Sequence, residues 1–584
     1  MTKFLQSLLA VAFFLLCAAS TKAESPKAEF RSFWIATVWR LDWPGAYGTT
    51  NAIAENQKAE MTGLLDRLAA ANFNAVCFQV RSMCDAIYDS KYEPWSAMVS
   101  GTRGKAPAYD PFEFIVAECH KRGMECHAWV NPMRFSTGSN YSTENDKFMR
   151  DNGWLLTHGS TTIMNPGIPE VRQRITDVCA DIIEKYDVDG LLFDDYFYPP
   201  GIPEESSAGD YDLYKNSGAS DFGDWRRENV NKVVVQIYEM IQEKKPYVRF
   251  GIAPRGIACT TQSMADKYGV PRCTSGSDSQ YGSIFCEPLA WLKAGTIDYI
   301  SPQIYWARGN KSGDFSVLCP WWSQVADKFG RHCYVSHSLE YFKNGEKKPA
   351  TREKAFAGMA AQVQMNRDET LNNSPGSIFY SYSCVDGEVE KENGVDFFDY
   401  MKDAKFRHKA ITPCINWKDA QPMPAVANLS LSGNLLSWDA SGNVRYSVYV
   451  LPSGVKHSIE ELTAERMVAH IYNNVYEFAV MPGDCEIAVA VVDRYGNEYE
   501  PAWLTVGVGG EASVANEPLE IVVAGSKVAF SAMVDEAEVL DLNGRTILKV
   551  SNAESLDLGG VSGAVIVRAK SAGCVVAKKI FMDL

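Results

Sequence analysis

The sequence has no excess of positive charge. Its 584 residues include 57 lysines and arginines against 72 aspartates and glutamates, which gives a formal net charge of −15. A chain this acidic does not bind nucleic acid or an anionic membrane through its overall charge. After the first two dozen residues it also lacks any apolar run long enough to cross a bilayer. These absences argue against a nucleic-acid-binding protein and a multispan membrane protein.

Several short motifs of well-defined chemistry are missing as well. The 15 cysteines form no CxxC pair, and no His, Asp and Glu cluster has metal-ligand spacing, so we expect no metal and no cofactor. No GxGxxG turn follows the first strand-like segment, which argues against a dinucleotide-binding fold. The absence of a GxSxG elbow argues against a serine esterase. Cysteines within apolar runs are expected to be buried thiols, with a few disulfides as the alternative.

The first 23 residues have the pattern of a secretory signal peptide. Lys3 precedes an apolar stretch, Leu8–Ala19, and small residues follow at the cleavage positions. Leu16 is too bulky before Cys17 for a good lipoprotein site, which argues against lipid anchoring. We therefore predict an exported protein, periplasmic, cell-surface or extracellular, from which residues 1–23 are removed.

Between residues 28 and 412, apolar strand-like runs alternate with helical patterns. Each run is nearly continuous in apolar residues, as is typical of parallel strands covered on both faces. There are eight runs: 30–39, 74–80, 124–130, 188–195, 248–254, 297–306, 333–339 and 376–383. Asp110-Pro111 marks the start of one intervening helix, with an N-cap followed by a proline. The pattern predicts an α/β fold, a (β/α)8 TIM-type barrel, with a doubly wound sheet as the alternative.

The C-terminal part has a pattern of short alternating strands. Residues 422–507 resemble a fibronectin type III module, in strand order and in the turn at 493–497. Residues 514–584 resemble a small C-terminal β-sandwich of the sorting-tail type. The proline-containing segment 413–424 is predicted to be a linker. We therefore expect the barrel to be followed by two small all-β sandwich domains.

Two adjacent aspartates stand directly after the fourth strand-like run. Asp194 and Asp195 follow Leu191-Leu192-Phe193, where a buried carboxylate is costly unless it is used or paired. Enzymes with this barrel place their chemistry at the C-terminal ends of the strands. Since strand residues alternate in direction, one aspartate would face the barrel axis while the other braces a loop or an arginine. We predict that Asp194 or Asp195 is the first catalytic carboxylate, with Glu340 and Asp85 as candidates for the second; the alternative is that both aspartates only cap the loop.

The ends of the other strands supply aromatic, amide and basic side chains to the same rim. We predict that the following residues bind substrate: Arg81, Asp85, His127, Trp129, Asn131, Arg134, Tyr196, Arg255, Gln303, Tyr305, Trp306, His337 and Tyr380. Taken alone, His127 is better explained as a core histidine. Aromatic rings stack on sugars, amides and arginines bind hydroxyls and carboxylates, and acids break glycosidic bonds. The rim predicts a polysaccharide partner, while the oligomeric state is not predicted.

Several long motifs of the barrel region match a known family. Residues 29–44 and the stretches FQVRSMCDAIYDSKYEPW, HKRGMECHAWVNPMR, MNPGIPEVRQ and YDVDGLLFDDYFYP follow one another in the family's order. Over residues 28–400 the chain resembles the bacterial glycosyl hydrolase-like family ten. The resemblance implies a TIM-type barrel acting on exported polysaccharide, since a Gram-negative relative cleaves peptidoglycan glycan strands that lack stem peptides.

The stretch DGLLFDDYFYP also resembles, distantly, the signature of chitinase-type barrels. Aligned on Asp189-Gly190, Asp194 falls on the last aspartate of that motif and Tyr196 on the catalytic glutamate. This implies a substrate-assisted route as one option, in which the sugar's N-acetyl group attacks; a conventional route needs two carboxylates. We expect an exported glycosidase acting on peptidoglycan glycan or a related amino-sugar polymer. The alternative is a non-catalytic carbohydrate-binding barrel whose β modules dock on the cell envelope or a partner.

Overall fold

The computed structural model describes most of the chain. The described residues are 25–139, 141–340, 349–370, 375–386, 394–480, 483–507, 512–514, 521–524, 526–541, 546–561, 563–571 and 574–582. The predicted signal peptide lies outside them. The chain forms two compact units: the first runs to Val480 and includes Ile487–Ala502, and the second comprises Met481–Glu486 and the residues from Trp503 onward. The predicted boundary between residues 412 and 422 therefore does not separate compact units.

The first unit is built around parallel strands that alternate with helices. Its first twelve strands are β1 Phe30–Ile35, β2 Ala75–Arg81, β3 Glu125–Val130, β4 Arg134–Thr137, β5 Leu155–His158, β6 Thr161–Met164, β7 Gly190–Phe193, β8 Arg249–Ile252, β9 Tyr299–Ile300, β10 His332–Cys333, β11 Val335–Ser338 and β12 Gly376–Tyr380. Its helices are α1 Asn51–Ala70, α2 Ala97–Ser100, α3 Pro111–Lys121, α4 Glu144–Asp151, α5 Pro169–Lys185, α6 Tyr211–Ser217, α7 Phe222–Lys244, α8 Gln262–Tyr268, α9 Gln280–Ser283, α10 Pro288–Ala294, α11 Phe315–Lys328, α12 Pro349–Glu369 and α13 Phe397–Ala404.

Nine of these strands form a parallel sheet that closes on itself. The order is β10-β9-β8-β7-β3-β2-β1-β12-β11. The two end strands, β10 and β11, are separated only by Tyr334, so they are two parts of one barrel strand. The barrel therefore has eight strand positions, which we call staves. Gln303, beyond β9, also bridges to Ser336 in β11. The predicted (β/α)8 barrel is confirmed, and β4, β5 and β6 form a small antiparallel sheet inserted after the third stave.

The predicted strand-like runs each contain a barrel strand, but some strands are shorter than the runs. The sixth run, 297–306, yields only Tyr299–Ile300, because Pro302 has no amide hydrogen to continue the ladder. Helix α3 begins as predicted: the Asp110 side chain accepts hydrogen bonds from the backbone amides of Phe112 and Glu113, with Pro111 in the first turn. Continuous apolar runs therefore predict where the barrel strands lie, and residues such as proline determine where a strand ends.

Side chains inside the barrel are large and closely packed. Phe30 and Trp34 of β1 point inward, whereas Phe33 and Ile35 pack outward against the helices. The Phe30 ring stacks on Tyr334, with ring centroids 4.5 Å apart. A Cβ atom at Gly251 would lie 2.1 Å from the Tyr299 ring, so only glycine fits beside it. The interior is a packed core and not a pore, as is usual for this fold.

A β-rich segment of the first unit closes the end of the barrel where the strands begin. Its strands are β13 Ser430–Ser432, β14 Leu435–Ser437, β15 Arg445–Pro452, β16 Met467–Ile471, β17 Val475–Glu477 and β18 Cys485–Val492. Glu125, the first residue of β3, accepts hydrogen bonds from Arg445 and from the Thr412 hydroxyl. Burial opposes the charge on Glu125, but Arg249 and Arg445 outweigh it and hold its pKa well below the ordinary value.

A second buried ion pair joins the same two parts. Asp189, just before β7, accepts hydrogen bonds from Arg494 at 2.9 Å and from the Tyr472 hydroxyl at 2.8 Å, and lies 2.9 Å from His120 Nε2. Burial opposes its charge, yet Arg494 and His120 lower its pKa. Buried charges persist only when they are paired in this way. The barrel and the β-rich segment thus share a charged and buried interface.

The segment predicted to be a linker is held by hydrogen bonds. The Pro413 carbonyl accepts from Arg249 at 2.7 Å. Trp417 Nε1 and Lys418 Nζ donate to the Asp298 carboxylate at 3.0 and 2.8 Å. Residues 413–418 are therefore an anchored connection, and the assignment of 413–424 as a linker between domains stays a prediction. Proline and aspartate content indicated a loop, but it did not reveal these contacts.

The second unit is all β. Its strands are β19 Ala502–Val506, β20 Ala512–Val514, β21 Ile521–Ala524, β22 Lys527–Leu540, β23 Thr546–Asp557, β24 Gly563–Ser571 and β25 Cys574–Met582. Strands β21, β22, β24 and β25 form an antiparallel sheet, and β23 pairs with β22. Val528, Val539 and Val567 are fully buried in its core. Antiparallel all-β structure in this region agrees with the predicted pattern, whereas the resemblance to a fibronectin module stays a prediction.

The described residues also show the state of the cysteines and the character of the helices. The described cysteine side chains are free thiols, and all but Cys414 are buried, in agreement with the apolar runs in which several lie. Among the helices described, none has the length and apolar character to cross a membrane.

Candidate active site

A cavity of about 220 Å³ opens at the C-terminal ends of the barrel strands. It is lined by Trp34, Val38, Trp39, Leu41, Trp129, Arg134, Asp194, Asp195, Tyr196, Gln303, Tyr305, Glu340 and Tyr380. Six of these thirteen residues are aromatic, and three carry carboxyl groups. Because catalytic groups in this fold collect at this end of the barrel, the cavity is the candidate active site.

Asp194 is the buried acid of the cavity. It follows β7 directly, and only 3% of the residue is exposed. Trp129 Nε1 donates a hydrogen bond to its Oδ2 at 3.0 Å, and the Tyr196 amide donates to Oδ1 at 3.4 Å. Burial, assisted by repulsion from Asp195, raises the pKa of Asp194 to about 7, although Arg134 and the two hydrogen bonds act against the rise. Near neutral pH this carboxyl group therefore holds a proton that it can transfer.

Asp195 lies beside it in a different environment. Its carboxylate accepts hydrogen bonds from Arg255 Nε at 3.1 Å and from Gln303 Nε2 at 3.3 Å. The pair agrees with the expected division, in which one aspartate braces a neighbouring arginine. Asp195 nevertheless still lines the cavity. Two adjacent carboxyl groups with contrasting partners are suited to different roles, one as acid and one as anion.

Arg134 brings a positive charge to the wall, close to Asp194. It is carried by β4, the first strand of the inserted sheet, and donates from Nε to the Ser82 carbonyl at 3.0 Å. Its guanidinium lies over the Tyr196 ring, 4.2 Å from the centroid. Nη2 is buried and has no hydrogen-bond partner among the described residues. This donor is available to a polar group that enters the cavity.

Aromatic rings form the remaining walls. Trp34 and Trp129 meet edge to face with centroids 4.7 Å apart, and Trp34 Nε1 donates to Ser336 Oγ at 3.1 Å. Tyr305 and Tyr380 are stacked at 5.9 Å. Rigid rings with polar tips bind the apolar faces of sugars while they leave the hydroxyl groups to polar neighbours.

Glu340 is the third acid of the cavity. It stands just after β11, is exposed, and its backbone amide donates to Ser338 Oγ at 3.2 Å. Of the predicted residues, the cavity therefore collects the three catalytic candidates and six that were predicted to bind substrate. These nine are Asp194, Asp195, Glu340, Trp129, Arg134, Tyr196, Gln303, Tyr305 and Tyr380.

Arg255 and Trp306 lie in a neighbouring cavity of about 390 Å³, which shares Asp195, Gln303 and Tyr305 with the first. Arg255 also lines a smaller cavity of about 140 Å³ together with Arg134. Arg255 and Trp306 therefore do not line the cavity of Asp194 but lie in the one beside it. The Asp195–Arg255 pair lies where the two cavities meet.

Three predicted residues are built into the fold instead. Arg81 is buried and donates to Glu93 at 2.9 Å and to the Asn131 carbonyl at 2.6 Å. Asn131 is fully buried, and its side-chain oxygen accepts from Gln79. Asp85 accepts hydrogen bonds from the amide of Met83 and from Ser82, so it stabilises its own turn. Arg81, Asp85 and Asn131 are therefore occupied by protein partners and do not line the cavity, so this placement favours a structural role, and their contact with substrate stays a prediction, as does Asp85 as the second carboxylate.

The two predicted histidines are also internal. His127 lies inside the barrel, with Nδ1 2.9 Å from the Tyr299 hydroxyl and Nε2 3.0 Å from Glu125. His337 packs between Gln362 and Ser377 at 2.9 and 3.0 Å, and burial lowers its pKa to about 4. Both are fully buried, which favours the interpretation as core histidines, and substrate contact by either stays a prediction.

The sequence predictions missed the loop after β1, which supplies Val38, Trp39 and Leu41 to the cavity. The available signal was the aromatic run WIATVWRLDWPG, in which Trp39 continues past the end of the strand. Across the part of the chain that the structure describes, no group of three or more His, Cys, Asp or Glu side chains is arranged to hold a metal ion.

Comparisons with known proteins place this site in a family. The family model described as "Glycosyl hydrolase-like 10" matches residues 29–343. The chain is 32% identical over 443 residues to "Glycosyl hydrolase YngK" of Bacillus subtilis, covering 74% of this chain and 83% of that protein. It is also 32% identical over 371 residues to "Glycosyl hydrolase DigH" of Escherichia coli K12, covering 60% and 82%. Among solved structures, the PgaB (BpsB) glycoside hydrolase domain of Bordetella bronchiseptica matches with 12% identity and a TM-score of 0.40, covering 62% and 95%. The resemblance seen in the sequence is thereby confirmed: the chain belongs to the glycosyl hydrolase-like 10 family.

Proposed function

We propose that this protein is an exported glycoside hydrolase that cleaves O-glycosidic bonds of a polysaccharide, with Asp194 as the proton donor. The substrate is an amino-sugar polymer, and the peptidoglycan glycan strand is our first candidate. Family membership supports the reaction class. The polymer and the export remain proposals that rest on the sequence resemblance and on the N-terminal leader.

The burial of Asp194 beside a second carboxyl group, in the wall of the cavity, is the single observation that carries the proposal. A glycosidase needs one carboxyl group that is neutral at its working pH, because that group must give a proton to the leaving oxygen. Asp194 has a pKa of about 7 because it is buried beside a second carboxyl group. It lies in an aromatic-walled cavity of a size that admits a small ring.

The reaction follows from this arrangement. Asp194 transfers its proton to the glycosidic oxygen as the bond between that oxygen and the anomeric carbon breaks, and the leaving chain departs as an alcohol. The positive charge that develops on the sugar requires an electron-rich partner. Water finally adds its hydroxyl group to the anomeric carbon, and its remaining proton returns to Asp194. The products are two chain ends, one of which is reducing.

Three groups are candidates for the electron-rich partner. Asp195 accepts a hydrogen bond from Arg255 and lines the same cavity as Asp194. Glu340 lines the cavity from the seventh stave. The third candidate is the acetamido group of an amino sugar, which would require only one protein acid. Arg134 Nη2, which has no partner among the described residues, is a suitable donor to a carbonyl or carboxylate oxygen of the sugar.

Release of reducing ends tests the proposal. Purified protein is incubated with peptidoglycan glycan strands freed of peptides, with chitin oligosaccharides and with plant glycans. We expect new reducing ends from at least one amino-sugar polymer, and none from the Asp194→Asn variant. The Asp212→Asn variant is the matched control, because Asp212 is exposed on α6 and does not line the cavity.

Binding measurements on the same variant separate the enzyme from a carbohydrate-binding barrel. Asp194→Asn should still bind the polymer, because the substitution removes a transferable proton and keeps the shape of the side chain. Binding without cleavage by the unmodified protein would contradict the proposal and favour the non-catalytic barrel. Equal cleavage by the unmodified protein and by Asp194→Asn would exclude Asp194 as the acid.

A further inference from the structure

Trp39 is unusual among the aromatic residues of this protein. Its side chain is 58% exposed, which makes it the most exposed aromatic residue in the described part of the chain. It nevertheless lines the cavity that contains Asp194. Because Trp39 is both exposed and part of the cavity wall, its apolar ring is free to contact a ligand that enters the cavity.

The backbone at this position is strained. Trp39 and its neighbour Arg40 have φ angles of 51° and 54°, in the left-handed region that favours glycine. They are the one consecutive pair of non-glycine residues with positive φ within the described ranges. Strained residues of this kind persist when the surrounding structure holds them, and they concentrate at ligand-binding positions.

The surrounding structure does hold this turn at its first end. Gln79 of β2 receives hydrogen bonds on its side-chain oxygen from the amides of Thr37 and Val38, at 3.1 and 2.8 Å. The Thr37 hydroxyl donates to the Gln79 carbonyl at 2.9 Å. All of these groups are buried, so the residues that precede Trp39 cannot shift without losing three hydrogen bonds.

The other end of the turn is fixed by a buried acid. Asp42 accepts hydrogen bonds from the Ala36 amide at 2.7 Å, from Ser381 Oγ at 2.9 Å and from the Ser383 amide at 2.8 Å. Arg40 lies over the Tyr47 ring, 4.1 Å from its centroid, and does not line the cavity. With both ends of the turn held, the backbone at Trp39 needs little ordering when a ligand arrives.

The position of Trp39 in the barrel sets the direction of a bound chain. Trp39 follows the first stave, and the order of the staves puts the fifth stave, β8, directly opposite. The loop after β8 supplies Arg255 to the neighbouring cavity of about 390 Å³. Asp195 lines both cavities, so the acids lie between Trp39 and the second cavity. A polymer that reaches from one to the other must cross the candidate acid.

We propose that Trp39 is a sugar-stacking platform that binds a unit of the polymer beyond the units joined by the cleaved bond. The inference rests on the proposed function and extends it: the cleft binds a chain across the barrel mouth and cleaves inside it. Trp39 is thus a substrate-binding residue and not part of the proton transfer. The sugar faces the indole ring with its apolar CH groups, as aromatic stacking requires.

Chain-length dependence tests this proposal. The unmodified protein and the Trp39→Ala variant are assayed on size-fractionated, peptide-free glycan strands and on a disaccharide aryl glycoside. For long strands we expect a roughly five- to tenfold loss in kcat/KM, mainly through KM, as one lost stacking contact predicts. The loss in kcat/KM should be clearly smaller on the aryl glycoside than on long strands, and Trp39→Phe should recover most of the loss on long strands.

Two further measurements separate a platform from a structural role. In the Asp194→Asn background, glycan strands should change the tryptophan fluorescence, and Trp39→Phe should remove most of that change. Trp39→Gly relieves the strained φ, so its melting temperature should not fall although glycan affinity does. Phe148→Ala is the matched control, because Phe148 is 45% exposed on α4 and does not line the cavity.

The outcomes distinguish the two proposals. If the unmodified protein releases no reducing ends from any glycan, the proposed function fails and this inference fails with it. If the unmodified protein cleaves glycan, and Trp39→Ala cleaves long strands with unchanged KM, the platform is refuted while the hydrolase stands. Equal losses on long strands and on the aryl glycoside would also refute it, because the residue would then act at the cleaved bond itself.

Discussion

Replacing Asp194 with asparagine should make the folded protein more stable above neutral pH. Burial raises the pKa of Asp194 from its ordinary value of 3.8 to about 7. At ~1.36 kcal/mol per tenfold change in proton affinity, this corresponds to about 4 kcal/mol by which folding disfavours the charged carboxylate. In the unfolded chain the same carboxyl group ionises freely above pH 3.8. The unmodified protein therefore binds one more proton when it is folded, throughout the interval between the two values.

The sign of the effect follows from this difference in bound protons. Stability decreases with rising pH wherever the folded state binds more protons than the unfolded state. Ionisation of Asp194 should therefore not affect the free energy of unfolding below pH 4. Above pH 7 it should lower the free energy of unfolding by about 4 kcal/mol. Asparagine has no charge to desolvate. The Asp194→Asn variant should match the unmodified protein near pH 4 and exceed its free energy of unfolding at pH 8.

Urea denaturation followed by tryptophan fluorescence measures this difference at pH 4.5, 6 and 8. The difference between the variant and the unmodified protein is the informative quantity, because other titrating groups cancel in it. Asp212→Asn, exposed on α6, should show no such dependence. A difference that is constant from pH 4.5 to pH 8 would refute the reasoning, since Asp194 would then have an ordinary pKa and could not serve as the acid at neutral pH.

Four other outcomes are expected. Arg134→Gln removes the charge that favours ionised Asp194, so the alkaline fall of kcat in the pH–rate profile should move to higher pH. Asp195→Asn removes a repelling charge and should move that fall to lower pH in any variant that retains activity. Glu125→Gln leaves two buried arginines without their carboxylate and should lower the free energy of unfolding by about 3–5 kcal/mol in urea denaturation. His337 has its pKa lowered to about 4, so stability should fall between pH 6.5 and 4, and His337→Gln should reduce that fall.

The sequence predicted the barrel because its staves are buried on both faces. Burial on both faces requires a continuous apolar run, and such runs are visible without any structure. The acids of the site were found for the same reason: Asp194 and Asp195 interrupt apolar sequence at a strand end. The sequence did not show which polar side chains at the strand ends have buried hydrogen-bond partners within the protein. Arg81 and His337 occur at strand ends like the true rim residues, but in the structure each has buried partners.

Trp39 was missed for a different physical reason. Its exposure depends on a turn with two left-handed residues, and neither residue is a glycine that would have marked the turn. The turn is held by Gln79 and Asp42, which are distant in sequence from each other and unremarkable alone. Local propensity does not detect a conformation that only tertiary contacts enforce.

The charged interface beneath the barrel has a consequence for how this protein can be cut or recombined. A fragment that ends before residue 413 would expose Glu125, Asp189 and Asp298 without the Arg445, Arg494 and Lys418 side chains that neutralise them. Each of the three acids would lose a cationic partner, although Glu125 would keep its contact with Arg249 and Asp189 its contact with His120. The barrel is therefore expected to lose stability when it is separated from the β-rich segment, although no residue of the cleft is removed.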